Sequence, residues 1–112
     1  MMTIVTDVRV RPGAEDKWDA VVRDRMAAAK ERPGLVSAQL LRSESQPNQR
    51  VIVGTWRTRA DWEAWHRDPR FAETRRQLDE LVEGPEHRGW HEVVVDVRSG
   101  EDQLLSRRST TS

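Results

Sequence analysis

Three features of this 112-residue chain predict an α+β fold. A period-two apolar run opens it, apolar positions at three-to-four spacing fill two later stretches, and Pro-Gly, Gly-Pro or polar turn residues close the segments. The order read from the N-terminus is strand, helix, strand, strand, helix, strand.

Thr3 to Arg11 reads TIVTDVRVR, with Ile4, Thr6, Val8 and Val10 on one face and Asp7, Arg9 and Arg11 on the other. Pro12-Gly13 ends that strand. From Ala14 to Arg32, Trp18, Val21, Val22, Met26 and Ala29 recur at helical spacing, and Glu15 and Asp16 fall in the first turn, where the helix dipole favours carboxylates. Pro33-Gly34 stops this helix. Leu35 to Ser43 and Val51 to Arg57 are the second and third strands, joined into a hairpin by the polar turn SESQPNQ. The next helix is predicted in two pieces, Arg59 to Arg67 and Arg70 to Val82, because Asp68-Pro69 discourages continuity. Phe71, Leu78, Leu81 and Val82 face inward on the second piece, and Thr74 or Arg75 shares that side. Gly84-Pro85 stops it, and Trp90 to Arg98 is the last strand. Residues 1–98 form the domain; 99–112 are a polar tail ending RRSTTS, with no apolar period.

Two right-handed crossovers around a hairpin give a ferredoxin-like βαββαβ arrangement, a four-stranded antiparallel sheet with both helices on one face. The other sheet face also carries apolar groups and needs a cover. Two such sheets packed face to face supply it, so the expectation is a homodimer built as a dimeric α/β barrel.

Composition narrows the function. One domain of this length buries a limited core, which again favours a partner subunit. Lys+Arg 19 and Asp+Glu 19 cancel, giving no electrostatic case for nucleic acid or an anionic membrane. Without cysteine there is no disulfide, no thiolate nucleophile and no Cys-ligated metal. No apolar run is long enough to span a bilayer, and Met1 to Val10 lacks the pattern of a signal peptide, so a cytoplasmic protein is expected. The three histidines, His66, His87 and His91, make no metal-ligand set, since His87 and His91 straddle a glycine and zinc needs a third ligand. Neither a nucleophile elbow nor a glycine-rich phosphate loop is present.

The aromatic residues are concentrated. Trp56, Trp62, Trp65 and Phe71 lie within one short stretch, and the chain has no tyrosine and no other phenylalanine. A strand ending at Trp56 and a helix carrying Trp62 and Trp65 at i, i+3 direct large rings to one side of a sheet, the wall of a pocket for a flat molecule. The plainer alternative for each is core packing, as for Trp18 beside Val22 and Met26. Trp90 is expected at a helix end or a dimer seam. His66 precedes Arg67-Asp68, the pattern of an exposed helix end; His91 is expected buried at the pocket or the dimer face, and His87 exposed.

The run RPG, an amphipathic helix, RPGLVSAQLLRSES, VIVGTWRTRADWEAWHRDPRF and HEVVVDV together resemble the antibiotic biosynthesis monooxygenase (ABM) domain of the dimeric α/β-barrel superfamily, over about Thr3 to Arg98. That resemblance implies a pocket between helices and sheet. It also implies one of several activities: cofactor-free oxidation of phenols, anthrones or quinols by O2, heme degradation, isomerisation, or none assigned. The heme-degrading pattern has a strand-1 asparagine, a helix tryptophan and a histidine about ten residues further on. Thr6, or Asp7 with a one-residue shift, takes the first position and Trp65 the second, but the third falls at Thr74 or Arg75, neither a plausible iron ligand. The similarity to cofactor-free oxygenases implies that Trp62 and Trp65 wall the site. It further implies that Arg75 stabilises a phenolate or superoxide, that His66 or His91 accepts the proton, and that Thr6 replaces an amide donor.

The expected function is therefore a cofactor-independent monooxygenase acting with O2 on a flat aromatic, phenolic or polyketide-like substrate. Its catalytic candidates are Arg75, His66 and Thr6, and its substrate-binding candidates are Trp56, Trp62, Trp65, Phe71, Thr74 and His91. The alternatives are a heme-binding or heme-degrading protein with atypical ligation and a non-catalytic small-molecule-binding dimer.

Overall fold

In the computed structural model, which describes residues 1–99, the chain forms β1 (Met2–Arg9), α1 (Glu15–Ala29), β2 (Leu35–Arg42), β3 (Gln49–Trp56), α2 (Arg59–His66), α3 (Pro69–Asp79) and β4 (His87–Glu92). The sheet order is β2-β3-β1-β4 with every neighbouring pair antiparallel. This is the ferredoxin-like arrangement expected. Among the described residues no helix is long and apolar enough to cross a membrane.

Register decides what each face carries. Ile4 lies opposite Gly54 and Trp90, Thr6 opposite Ile52 and Arg88, and Val8 opposite Arg50. Cross-strand partners share a face, so these residues all point toward the helices. Thr3, Val5 and Asp7, opposite Thr55, Val53 and Val51, point the other way, and a 2.8 Å hydroxyl contact joins Thr3 to Thr55 on that open face.

The core gathers in two clusters between sheet and helices. Val8, Val10, Trp18, Val22 and Leu78 form one; Ile4, Ala29, Trp56, Trp65 and Phe71 form the other. Trp18, Val22 and Ala29 are the buried stripe of α1. The helix breaks where Asp68-Pro69 interrupts it: Asp68 caps α3 through its carboxylate on the Arg70 N–H, with Pro69 in the first turn, where the lack of an N–H costs nothing. Thr58 caps α2 in the same way through the Asp61 N–H. At Gly34 the backbone has φ +93°, and a Cβ there would collide with the Asp61 carboxylate, so this turn needs glycine.

Most element ends shift by one to three residues from expectation, α1 stopping at Ala29 rather than Arg32 and β1 at Arg9 rather than Arg11, and two of the differences have a clear physical reason. The last strand covers His87–Glu92 rather than Trp90–Arg98, because its ladder follows β1: it runs from the Asp7–His87 pair to the Met2–Glu92 pair, and Val93 N–H to the Met1 carbonyl is its last bond. Val94, Val95 and Val97 extend past β1 and are 88%, 74% and 84% exposed. Helix α3 ends at Asp79 rather than Val82, since Leu81 gives its carbonyl to the Arg11 N–H and Val82 bridges Val10. Apart from Ser99, the polar tail at 99–112 lies outside the described residues.

Candidate functional site

A cavity of about 130 Å³ lies between the sheet and the three helices. Ile4, Thr6, Gly54 and Trp56 floor it, Arg25, Met26 and Ala29 reach it from α1, and Trp62, Trp65, His66, Phe71 and Arg75 from α2 and α3. The enclosed part has room for a single aromatic ring, and the mouth is open to the rest of a larger molecule. At Gly54 a Cβ would stand 3.4 Å from the Trp56 indole nitrogen and 3.7 Å from Ile4, ordinary contact distances.

The aromatic walls divide by burial. Trp56 (3% exposed), Trp65 (4%) and Phe71 (6%) are core side chains that also face the cavity, whereas Trp62 is half-buried. Trp65 meets Phe71 edge to face at 5.8 Å and Trp62 meets Trp90 likewise at 4.8 Å, the favoured geometry for such quadrupoles. Trp90 thus packs on α2, with the Arg59 guanidinium 5.0 Å from its ring.

His66 is not an exposed helix end. Because it lies one turn after Trp62, it shares that residue's side of α2, and it sits between Trp62 (ring centroids 3.6 Å) and Phe71 (4.0 Å). Its Nδ1 is 3.3 Å from the Trp62 carbonyl oxygen. A carbonyl can only accept, so Nδ1 carries the proton and Nε2 is left with a free lone pair. Burial pushes its pKa down to about 4, with Arg88, Arg25 and Arg75 acting in the same direction against the Trp62 hydrogen bond. His66 is therefore a neutral acceptor at neutral pH.

The sequence reading missed Arg25. Its Nε donates to the Thr74 hydroxyl at 2.8 Å, one Nη donates to the Phe71 carbonyl at 3.2 Å, and its guanidinium lies 3.8 Å from the Phe71 ring centroid. Among the described residues no carboxylate lies within salt-bridge distance of it. Burial, then the neighbouring Arg75 charge, lower its pKa to about 10, while Glu86 and Asp79 oppose the shift. The signal was present in helical arithmetic: Trp18, Val22, Arg25 and Ala29 fall on one face of α1.

Other expected site residues fall differently. Thr6 lines the cavity and Asp7 does not; Asp7 accepts from Gln49 at 2.9 Å on the open face. Arg75 lines the cavity mouth and is exposed. Thr74 does not line the cavity: its hydroxyl donates to the Phe71 carbonyl at 3.0 Å and accepts from Arg25. His91 is opposite Thr3, on the sheet face away from the cavity, and is exposed rather than buried; its ring lies over Gly89. Strand alternation, starting from Trp90 on the helix side, dictates that outcome.

Fold and site together define a small α+β domain with an aromatic-walled cavity bordered by the guanidinium groups of Arg25, Arg75 and Arg88 and the carboxylates of Asp79 and Glu86. A sequence model described as antibiotic biosynthesis monooxygenase matches residues 1–77, and the chain belongs to that family. No curated protein matches the sequence. Solved structures share the fold. SnoaB from Streptomyces nogalater, described as a cofactor-independent oxygenase, is 21% identical over 88% of this chain and 97% of its own, with a TM-score of 0.78. Rv0793 from Mycobacterium tuberculosis is 18% identical over 87% and 98%, with a TM-score of 0.79. A conserved protein from Methanosarcina mazei is 12% identical over 81% and 90%, with a TM-score of 0.78.

Proposed function

We propose that this protein is a cofactor-independent monooxygenase that uses O2 to oxidise an electron-rich phenol or enol, one ring of which enters the cavity. The observation that carries this reading is the pairing of an aromatic-walled, single-ring cavity with guanidinium groups and one neutral histidine. Triplet O2 reacts slowly with closed-shell molecules, but a phenolate or enolate can pass it one electron and recombine with the superoxide formed. Where the reacting centre is a methylene beside the ring, one oxygen atom of O2 becomes the ketone oxygen. The other leaves as water with the two methylene hydrogens, and the substrate supplies every electron.

The roles follow from placement. Trp56, Trp62, Trp65 and Phe71 keep water from the anion and hold the ring. Arg75 at the mouth favours the deprotonated substrate and the superoxide beside it. His66 Nε2 is the acceptor toward which a substrate hydroxyl donates. Its depressed pKa makes it a weak base, so the cations around it do most to favour the anion. Thr6 offers a hydroxyl from the cavity floor. SnoaB, of the same fold, is described as needing no cofactor, which supports the same reading here.

Heme fits this site less well. Among the described residues the one histidine that lines it is packed between the rings of Trp62 and Phe71 and is no free axial ligand. We also propose a cytoplasmic homodimer joined through the open sheet face, where Val5, Val51 and Val53 are only half-buried and the exposed Val94, Val95 and Val97 adjoin.

Oxygen uptake by purified, chelator-dialysed protein over a panel of hydroquinones and anthrones tests the reaction. Uptake above each substrate's own autoxidation is expected, with one atom of labelled O2 in the ketone formed from an anthrone and the other in water. Quinone formed from a hydroquinone with hydrogen peroxide released would show an oxidase instead, and no uptake over the panel leaves the non-catalytic binding dimer. Light scattering on a size-exclusion column tests the assembly, and a monomer mass at micromolar concentration rejects it.

A further inference from the structure

We propose that Arg25 is the residue that anchors the ligand, by binding an oxyanion carried directly on the ring, and that Thr74 is its positioning residue. The proposal rests on reading the cavity as the ligand site, not on the oxidation.

Three observations carry it. Arg25 projects from the apolar seam of α1 into the cavity, whereas an arginine beside such a seam ordinarily extends to solvent. Its guanidinium is fixed on three sides, by the Thr74 hydroxyl, the Phe71 carbonyl and the Phe71 ring, and only two of its N–H directions are used in doing so. Nη1 has no hydrogen-bond partner among the described residues and is not fully buried, while the side chain as a whole lines the cavity. A half-buried cation fixed in place without a counter-ion is half of an ion pair.

The nearby carboxylates do not complete it. Glu86 is taken by Arg88, and Asp79, though near enough to be felt, makes no salt bridge to Arg25. Ring and charge fix the ligand class. The space takes one aromatic ring, and the fork geometry suits a carboxylate or phenolate. Arg75 adds positive potential at the same opening, where Arg88 and Glu86 offset each other and Asp79 is the remaining carboxylate. Thr74 contributes without touching the ligand, since its hydroxyl, itself donated to the Phe71 carbonyl, holds Nε and so aims the free edge.

Tryptophan fluorescence titration of the full chain tests this with three probes: benzoate, its neutral isostere benzamide, and 4-nitrophenol. Benzoate is expected to bind roughly ten- to a hundredfold tighter than benzamide, the usual worth of a charge-assisted hydrogen-bonded pair. Arg25→Gln should abolish the preference and Arg25→Lys keep part of it. Thr74→Val should weaken benzoate several-fold and leave benzamide unchanged, an effect that general loosening of the fold would not produce. Bound 4-nitrophenol should show its phenolate absorption at a lower pH with wild type than with Arg25→Gln, and a response to nitrophenol without one to benzoate assigns the anion to the phenolate. Equal affinity for benzoate and benzamide, no response to any probe, or a preference that survives Arg25→Gln overturns the proposal, the last assigning the charge to Arg75 or Arg88. An intact preference with no oxygen uptake keeps the anchor and rejects the oxygenase. Oxygen uptake with KM unchanged by Arg25→Gln does the reverse.

Discussion

Two arginines are held inside this domain, and the fold treats them oppositely. Arg50, 3% exposed on β3, donates to both carboxylate oxygens of Asp19 at 2.8 and 3.1 Å and through Nη1 to the Pro47 and Gln49 carbonyls. Its hydrogen bond to Asp19 raises its pKa above the usual value. Arg25, two turns further along α1 from Asp19, has a hydroxyl, a carbonyl and an aromatic face but no carboxylate among the described residues, and its pKa falls to about 10. Where a buried guanidinium only ties β3 to α1, its charge is neutralised; where it faces a cavity, it is left open. The cavity thus reaches from Val8 and Trp18 at the inner end to Trp62, His66 and Arg75 at the other, with the neutralised Arg50 outside its lining and Arg25 within it.

The largest effect should come from Trp65, which belongs to core and cavity at once. Trp65→Ala is expected to cost about 3–5 kcal/mol, because a buried indole leaves a void that a small domain cannot close. Trp62→Ala, half-buried, should cost about 1–2 kcal/mol while removing as much ligand affinity. Urea denaturation of both variants measures this, and equal stability losses would erase the distinction between wall and core. Next comes the pair of arginines. Asp19→Ala strands a buried cation and should cost about 3 kcal/mol, whereas Arg25→Met removes an uncompensated one and should stay within about 1 kcal/mol of wild type, or exceed it. The reverse order would show that Arg25 is structural and Arg50 is not.

Local chemistry made most of the fold legible. The period-two run at Ile4, Thr6 and Val8, the Pro-Gly stops and the Asp68-Pro69 break predict elements that the structure contains within a few residues. What was not legible depends on partners distant in sequence. The end of β4 is set by where β1 ends, not by its own valines, and the Asp19–Arg50 pair joins residues 31 apart that no local pattern connects. At the site, Trp56, Trp62, Trp65 and Phe71 could be read because large rings are scarce in this chain. His91 could not, since one step of strand register decides which face a side chain occupies. Arg25 stood in the apolar seam of α1, and the habit of arginines to reach solvent hid it.

Smaller effects separate the cavity from the Asp19–Arg50 pair by pH. His66 in the folded chain has a pKa near 4 against an ordinary value of 6.5, so the unfolded chain binds more protons between those values. The neutral imidazole's contribution is fully present above about pH 6.5 and is lost as the pH falls through about 4. His66→Gln should therefore flatten the melting temperature against pH over that interval, and Asp19→Ala should not. A slope that His66→Gln leaves untouched would mean that the imidazole is solvated and not held between Trp62 and Phe71.

The smallest effect on stability should come from Arg75, exposed at the mouth and joined to nothing by a hydrogen bond among the described residues. Arg75→Leu should change stability by no more than about 0.5 kcal/mol, the usual range for a surface site. If the cations at the opening favour the deprotonated substrate, the same change should lower kcat by about tenfold, less than a fully desolvated donor would cost because water screens Arg75. The division between kcat and KM then separates the two arginines. Arg25, seated on the ground-state anion, should act mainly on KM, and Arg75, beside the charge that moves to oxygen, mainly on kcat. An Arg75→Leu enzyme with unchanged kcat and raised KM would make both arginines part of one binding site, and the charge at the mouth would then steer the substrate without taking part in its oxidation.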